Sequence, residues 1–94
     1  MWGYTLLLHA IVKGKVQGVG FRYFTKQIAD QLGVKGWVKN NPDGTVEVLA
    51  EGDEKTLKEF LEYLKNGPPL SNVVEVEYQF LNNNGGFDSF EIRY

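Results

Sequence analysis

The stretch Gly14-Lys15-Val16-Gln17-Gly18-Val19-Gly20-Phe21-Arg22 holds three glycines and one of only two arginines in the chain. It stands directly ahead of a run with helical periodicity. Glycines let successive backbone N–H groups converge without side chains in the way, and a helix N-terminus adds unpaired donors and partial positive charge. Together these are the ingredients of an oxyanion cradle, and the planar fork of Arg22 matches two phosphate oxygens. The spacing fits neither the G-x-x-x-x-G-K-S/T phosphate loop nor G-x-G-x-x-G. Spacing alone therefore leaves two readings open: an anion cradle, or a strand–helix connection whose glycines only permit a tight turn.

The same residues partly match the RNP1 pattern of RNA-recognition modules, K/R-G-F/Y-G/A-F-V-x-F/Y, over Gln17 to Phe24. Gln17 replaces the basic residue and Val19 the stacking aromatic, and RNP1 belongs in a strand, whereas this segment leads into a helix. A net charge of −2 also argues against a nucleic-acid surface. Elsewhere the chemistry is sparse. Asn40 precedes a turn, where Asn is a common initiator; alternatively, its neutral amide can hold a water. His9 lies within a strand and reads as a packed or surface residue. The carboxylates are scattered over solvated faces, and Trp37 reads as packing. Zero Cys and one His exclude disulfides, thiolate metal sites, a cysteine nucleophile and a multi-histidine metal site. No Ser or Thr stands in a nucleophile elbow.

The elements that must position these residues follow from periodicity. Thr5–Lys13 places Leu6, Leu8, Ala10 and Val12 on one face and Leu7, His9 and Ile11 on the other, which predicts a central strand largely buried on both sides. Gly14–Gly20 is expected to be a loop. Phe21, Phe24, Ile28 and Leu32 recur at helical spacing, and Gly33 supplies a left-handed stop. Lys35–Asn40 and Thr45–Glu51 read as a hairpin about Asn41-Pro42-Asp43-Gly44, with Val46, Val48 and Ala50 inward. A second helix opens at Gly52 and Asp53, carries Leu57, Phe60, Leu61 and Leu64, and ends at Gly67-Pro68-Pro69. Asn72–Phe80 alternates, with Val74, Val76, Tyr78 and Phe80 opposite Glu75, Glu77 and Gln79. After a turn over Asn82–Gly86, Phe87–Tyr94 closes as a strand.

The order β-α-β-β-α-β-β, with right-handed crossovers, gives a ferredoxin-like two-layer α/β sandwich: both helices on one face of a mostly antiparallel sheet, plus an added C-terminal strand. Ninety-four residues, 43% of them apolar, make a single domain over 1–94. No apolar run approaches the roughly 18 residues of a spanning helix. Leu6–Val12 lacks the basic flank and cleavage pattern of a signal peptide, so a cytoplasmic location is expected.

Two long motifs carry a resemblance. Gly14–Arg22 is similar to the first acylphosphatase signature, G-x-V-Q-G-V-x-F/M-R. Gly36-Trp37-Val38-Lys39-Asn40 with Gly44, Val46 and Gly52 resembles the second, G-F/Y/W-A/V-x-N-x-x-x-G-x-V followed by a further G. The closing Phe90-Glu91-Ile92-Arg93-Tyr94 is also typical of the family. The resemblance implies hydrolysis of acyl phosphates to a carboxylate and inorganic phosphate, the latter also an inhibitor. It implies that Arg22 and the N–H groups of Lys15, Val16, Gln17, Gly18, Val19, Gly20 and Phe21 bind the phosphoryl group, and that Asn40 positions the attacking water. Asn41 stands where some members carry Thr. The family includes domains of larger hydrogenase-maturation proteins; a chain of this length fits the free-standing enzyme, expected to be a monomer.

The reaction tolerates so sparse a site. A carboxylate, whose acid has a pKa of about 4–5, leaves without protonation. Phosphoryl transfer passes through a loose transition state served by positioning and charge stabilisation. No metal, cofactor, nucleic acid, membrane or covalent enzyme intermediate is called for. The competing reading is a non-catalytic ferredoxin-like module that binds a small anion or a partner protein.

Overall fold

The computed structural model describes residues 5–82 and 86–94. Strand β1 runs over Leu6–Lys15, helix α1 over Phe21–Leu32, β2 over Lys35–Asn40 and β3 over Val46–Gly52. Helix α2 follows at Glu54–Asn66, then β4 at Asn72–Leu81 and β5 at Phe90–Arg93. The sheet order is β4-β1-β3-β2-β5. Its β1–β3, β1–β4 and β2–β3 pairings are antiparallel, and β2–β5 is parallel. This is the expected ferredoxin-like sandwich with a fifth strand.

The buried layer follows the strand pleat. Leu8, Ala10 and Val12 of β1, Val38 of β2, and Val46, Val48 and Ala50 of β3 are fully buried beneath Phe21, Ile28 and Ala29 of α1 and Leu57, Phe60, Leu61 and Leu64 of α2. Burying each large side chain contributes about 1.5–3 kcal/mol. The Gly33 N–H closes α1 onto Ala29 and Asp30 carbonyls. Helix α2 begins where the Asp53 carboxylate accepts the Thr56 N–H at 2.8 Å.

Several expectations are corrected. The strand pairing continues two residues past Lys13, Gly14 facing Val73 and Lys15 facing Asn72 on β4, so the loop is 16–20 rather than 14–20. β1 is the expected interior strand, and its helix-facing side is the more deeply buried. Its far face leaves His9 and Ile11 half-buried, because both helices pack on the other side. Gly52 ends β3 rather than opening α2. The strict alternation expected in β4 breaks at Val74: Lys13 pairs with Glu75 and Gly14 with Val73, so Val74 is the extra residue of a bulge and is 74% exposed. Val76 and Phe80 pack against the core as expected and Val73 does so in place of Val74, whereas Tyr78 is exposed. The last strand is shorter than expected, and residues 83–85 of the turn before it lie outside the described residues.

Candidate active site

Loop 16–20 joins β1 to α1 and is anchored at both ends by buried side chains, Val16 and Phe21, each 1% exposed. Between them Gly18 and Gly20 take φ of +75° and +80°. No atom lies within 4 Å of where a Cβ would stand at either, so it is the left-handed backbone rather than crowding that calls for glycine. Left-handed residues alternating with ordinary ones form the backbone arrangement that makes an anion-binding concavity.

The start of α1 adds to this. Gly20 offers no side-chain cap, and no acidic residue occupies the first turn. The first N–H groups of a helix have no partner inside it. Arg22 sits there instead, a cation at the positive end of the helix dipole, which is unfavourable by itself and favourable once an anion lies beside both. Its Nη1 donates to the Arg93 carbonyl at 3.3 Å, and its guanidinium carbon lies 4.6 Å from the Tyr94 ring centre.

Asn40, the last residue of β2, pairs with Val46 across the hairpin. Its Oδ1 is buried and has no hydrogen-bond partner among the described residues. A buried acceptor left unpaired costs about 1–3 kcal/mol, so such an atom calls for a donor. The structure brings Asn40 and Arg22 to one cleft, with Val16, Gly18, Gly20 and Phe21 beside them. Tyr23, Ile92 and Tyr94 complete its wall. At about 220 Å³ the cleft is smaller than ordinary ligand pockets. It has ample room for a phosphoryl group.

The side chains of Lys15, Gln17 and Val19 do not line the cleft. Lys15 is exposed at the end of β1, and Val19 packs against the core. The Gln17 amide turns to the hairpin and donates to the carbonyls of Asn41 and Thr45. The Asn41 side chain stays within that hairpin, donating to Thr45 Oγ1 at 3.1 Å. Sequence reasoning missed the walls supplied by Tyr23, Ile92 and Tyr94 and the Arg93 carbonyl. Tyrosine and isoleucine serve packing as often as a site, so their types alone do not mark them, and a main-chain carbonyl carries no residue-type signal at all.

The other sequence candidates fall elsewhere. Phe21 begins a helix and is buried, which overturns the RNP1 reading, where that position must be an exposed strand aromatic. His9 pairs with Glu47 at 2.7 Å, outside the cleft. Trp37 packs beneath the cations of Lys39 and Arg93, 5.4 and 5.0 Å from its ring centre. Among the described residues no three His, Asp or Glu side chains gather at metal-binding spacing, and no helix is long and apolar enough to cross a membrane.

The acylphosphatase family model matches residues 8–92. The chain belongs to the acylphosphatase family. Acylphosphatase of Archaeoglobus fulgidus is 50% identical over 91 residues, which is 95% of this chain and 99% of that protein. The crystal structure of acylphosphatase from Bacillus subtilis superposes with a TM-score of 0.92 at 47% identity, covering 95% of this chain and 99% of that one. Full-length HypF in its phosphate- and nucleotide-bound form contains a similar unit: TM-score 0.91, 29% identity, all of this chain but 12% of HypF. Membership in the acylphosphatase family carries with it the hydrolysis of acyl phosphates, the mixed anhydrides of a carboxylic acid and phosphoric acid, to a carboxylate and inorganic phosphate.

Proposed function

We propose that the hydrolysis is a direct displacement run by three groups: the main-chain amides from Lys15 to Phe21, the Arg22 guanidinium and the Asn40 side chain. The amides and Arg22 bind the phosphoryl oxygens. Asn40 Oδ1 accepts a hydrogen bond from the attacking water, leaving a water lone pair aimed at phosphorus. The water oxygen–phosphorus bond forms as the phosphorus–acyl oxygen bond breaks, its electron pair leaving with the carboxylate. The water's proton passes to a phosphoryl oxygen, because a neutral amide cannot take it.

The observation that carries this reading is the buried, unpartnered Oδ1 of Asn40 in the cleft that Arg22 borders. Each well-placed donor in such a site is worth about 2.7–4 kcal/mol of transition-state stabilisation, by analogy with oxyanion holes. The same reading makes inorganic phosphate a competitive inhibitor as well as the product. It uses no metal or cofactor, and treats residues 1–94 as one unit acting as a monomer in the cytoplasm.

Benzoyl phosphate hydrolysis tests it. The wild type is expected to turn over undiminished in excess chelator. Asn40→Ala should lose about 10²-fold in kcat while inhibition by phosphate changes less than about twofold. An equal fall in kcat and in phosphate affinity would make Asn40 a binding residue only.

A further inference from the structure

The two halves of the site come from different elements. The amide loop hangs between β1 and α1, whereas Asn40 ends β2, and a direct attack requires the two to keep a fixed separation. Gln17 spans them. Its Nε2 donates to the Asn41 carbonyl at 2.8 Å and to the Thr45 carbonyl at 2.9 Å. Both carbonyls belong to the turn that immediately follows Asn40. Each also receives one main-chain donor, Gly44 N–H to Asn41 at 3.1 Å and Asn41 N–H to Thr45 at 2.9 Å. Gln17 therefore supplies the second donor to each of these two-lone-pair acceptors, spending both hydrogens of its amide nitrogen.

Few side chains meet this requirement. A primary amide carries two N–H groups on one atom at the end of a long stem. Glutamate has the same shape and sets a carboxylate against two carbonyl oxygens. Methionine has the length and no donor. The Gln17 side chain does not line the cleft, so it does not act on the substrate itself.

We propose that Gln17 is a positioning residue for the hydrolysis. Its side chain clamps the phosphate loop to the hairpin turn and so sets the separation between the bound phosphorus and the water held by Asn40. The inference rests on the role proposed for Asn40. A misplacement of about 1 Å at a reacting centre costs on the order of 10²-fold in rate, which gives such a clamp its leverage.

Gln17→Met and Gln17→Glu are compared with the wild type for benzoyl phosphate kcat, for inhibition by inorganic phosphate and for thermal melting. Both are expected to lose about tenfold or more in kcat while phosphate inhibition shifts by less than about threefold. Gln17→Asn, which keeps the amide on a shorter stem, is expected to fall between them and the wild type, and gives the same readouts should the other two be unstable. In an Asn40→Ala background Gln17→Met should lower kcat less than about twofold further, because the water it aims is already lost. Additive losses, or a parallel collapse of kcat and phosphate affinity, would make Gln17 merely structural. An unchanged kcat in Gln17→Met beside a reduced one in Asn40→Ala overturns this inference alone. An unchanged kcat in Asn40→Ala overturns the Asn40 role and this inference together.

Discussion

The guanidinium of Arg22, in the first turn of α1, lies over the ring of Tyr94, its carbon 4.6 Å from the ring centre. The adjoining Arg93 carbonyl accepts from the same guanidinium at 3.3 Å. The end of the last strand thus braces the cation that borders the cleft. An exposed cation–π contact is worth about 0.5–1 kcal/mol. Tyr94→Ala should therefore lower kcat/KM by about two- to fivefold. Arg22→Lys keeps the charge but loses the planar fork, and should cost about 10²-fold or more with the melting temperature nearly unchanged. Steady-state kinetics and a thermal melt on each variant check both; an Arg22→Lys enzyme within about twofold of wild type removes Arg22 from the site.

Inorganic phosphate should stabilise the folded chain by mass action. At 100 times its dissociation constant the gain is about 2.7 kcal/mol. In a chain of this size that raises Tm by roughly 10 °C or more. The gain should vanish in Arg22→Ala, and sodium chloride at equal ionic strength serves as the control. A melting temperature indifferent to millimolar phosphate contradicts an anion cradle at loop 16–20.

Gly18 and Gly20 have open space around a would-be Cβ but left-handed φ. Alanine at either position meets no neighbour and still pays the backbone cost of about 1–2 kcal/mol. Gly18→Ala and Gly20→Ala are expected to fold, to lose about that much stability in urea titrations, and to weaken phosphate inhibition together with kcat. That joint loss separates them from Asn40→Ala, which touches kcat alone.

Acid lability has an identifiable source on the other face of the sheet. The hydrogen bond from His9 holds the Glu47 carboxyl below its ordinary value of 4.5, helped by the Asn41 side chain. A depressed carboxyl stabilises the fold at pH values above its unfolded value, and the contribution disappears as pH falls through the folded one. Unfolding free energy should therefore rise between about pH 3 and 5. Glu47→Gln should flatten that slope in part, because the carboxyls of Asp43 and Asp53 are also held low by hydrogen bonds from Thr45 and Thr56. Urea titrations of both proteins across this range measure the difference; parallel slopes would mean the His9–Glu47 pair carries no linkage.

Local order was legible in the amino-acid sequence because it depends on near neighbours. Helical spacing from Phe21 and the glycine stop at Gly33 set α1, the stripe from Leu57 to Leu64 set α2, and Asn41 to Gly44 announced the hairpin. The glycine-rich run before Arg22 and the Asn40 segment formed two long signatures, enough to identify the family. Tertiary structure alone decided how these parts meet. The bulge at Val74 breaks an alternation that looked regular, because pairing with β1 at Gly14 skips that residue. Arg22 reaches a carbonyl 71 residues away, and Gln17 reaches two that are 24 and 28 residues away. Such partners are main-chain oxygens, identical at every position, so no residue type marks them. Strand pairing brings these parts together: Val12 opposite Val46 sets the loop beside the hairpin turn, Lys39 opposite Arg93 sets the last strand beside β2, and α1 packed on that sheet face carries Arg22 to it.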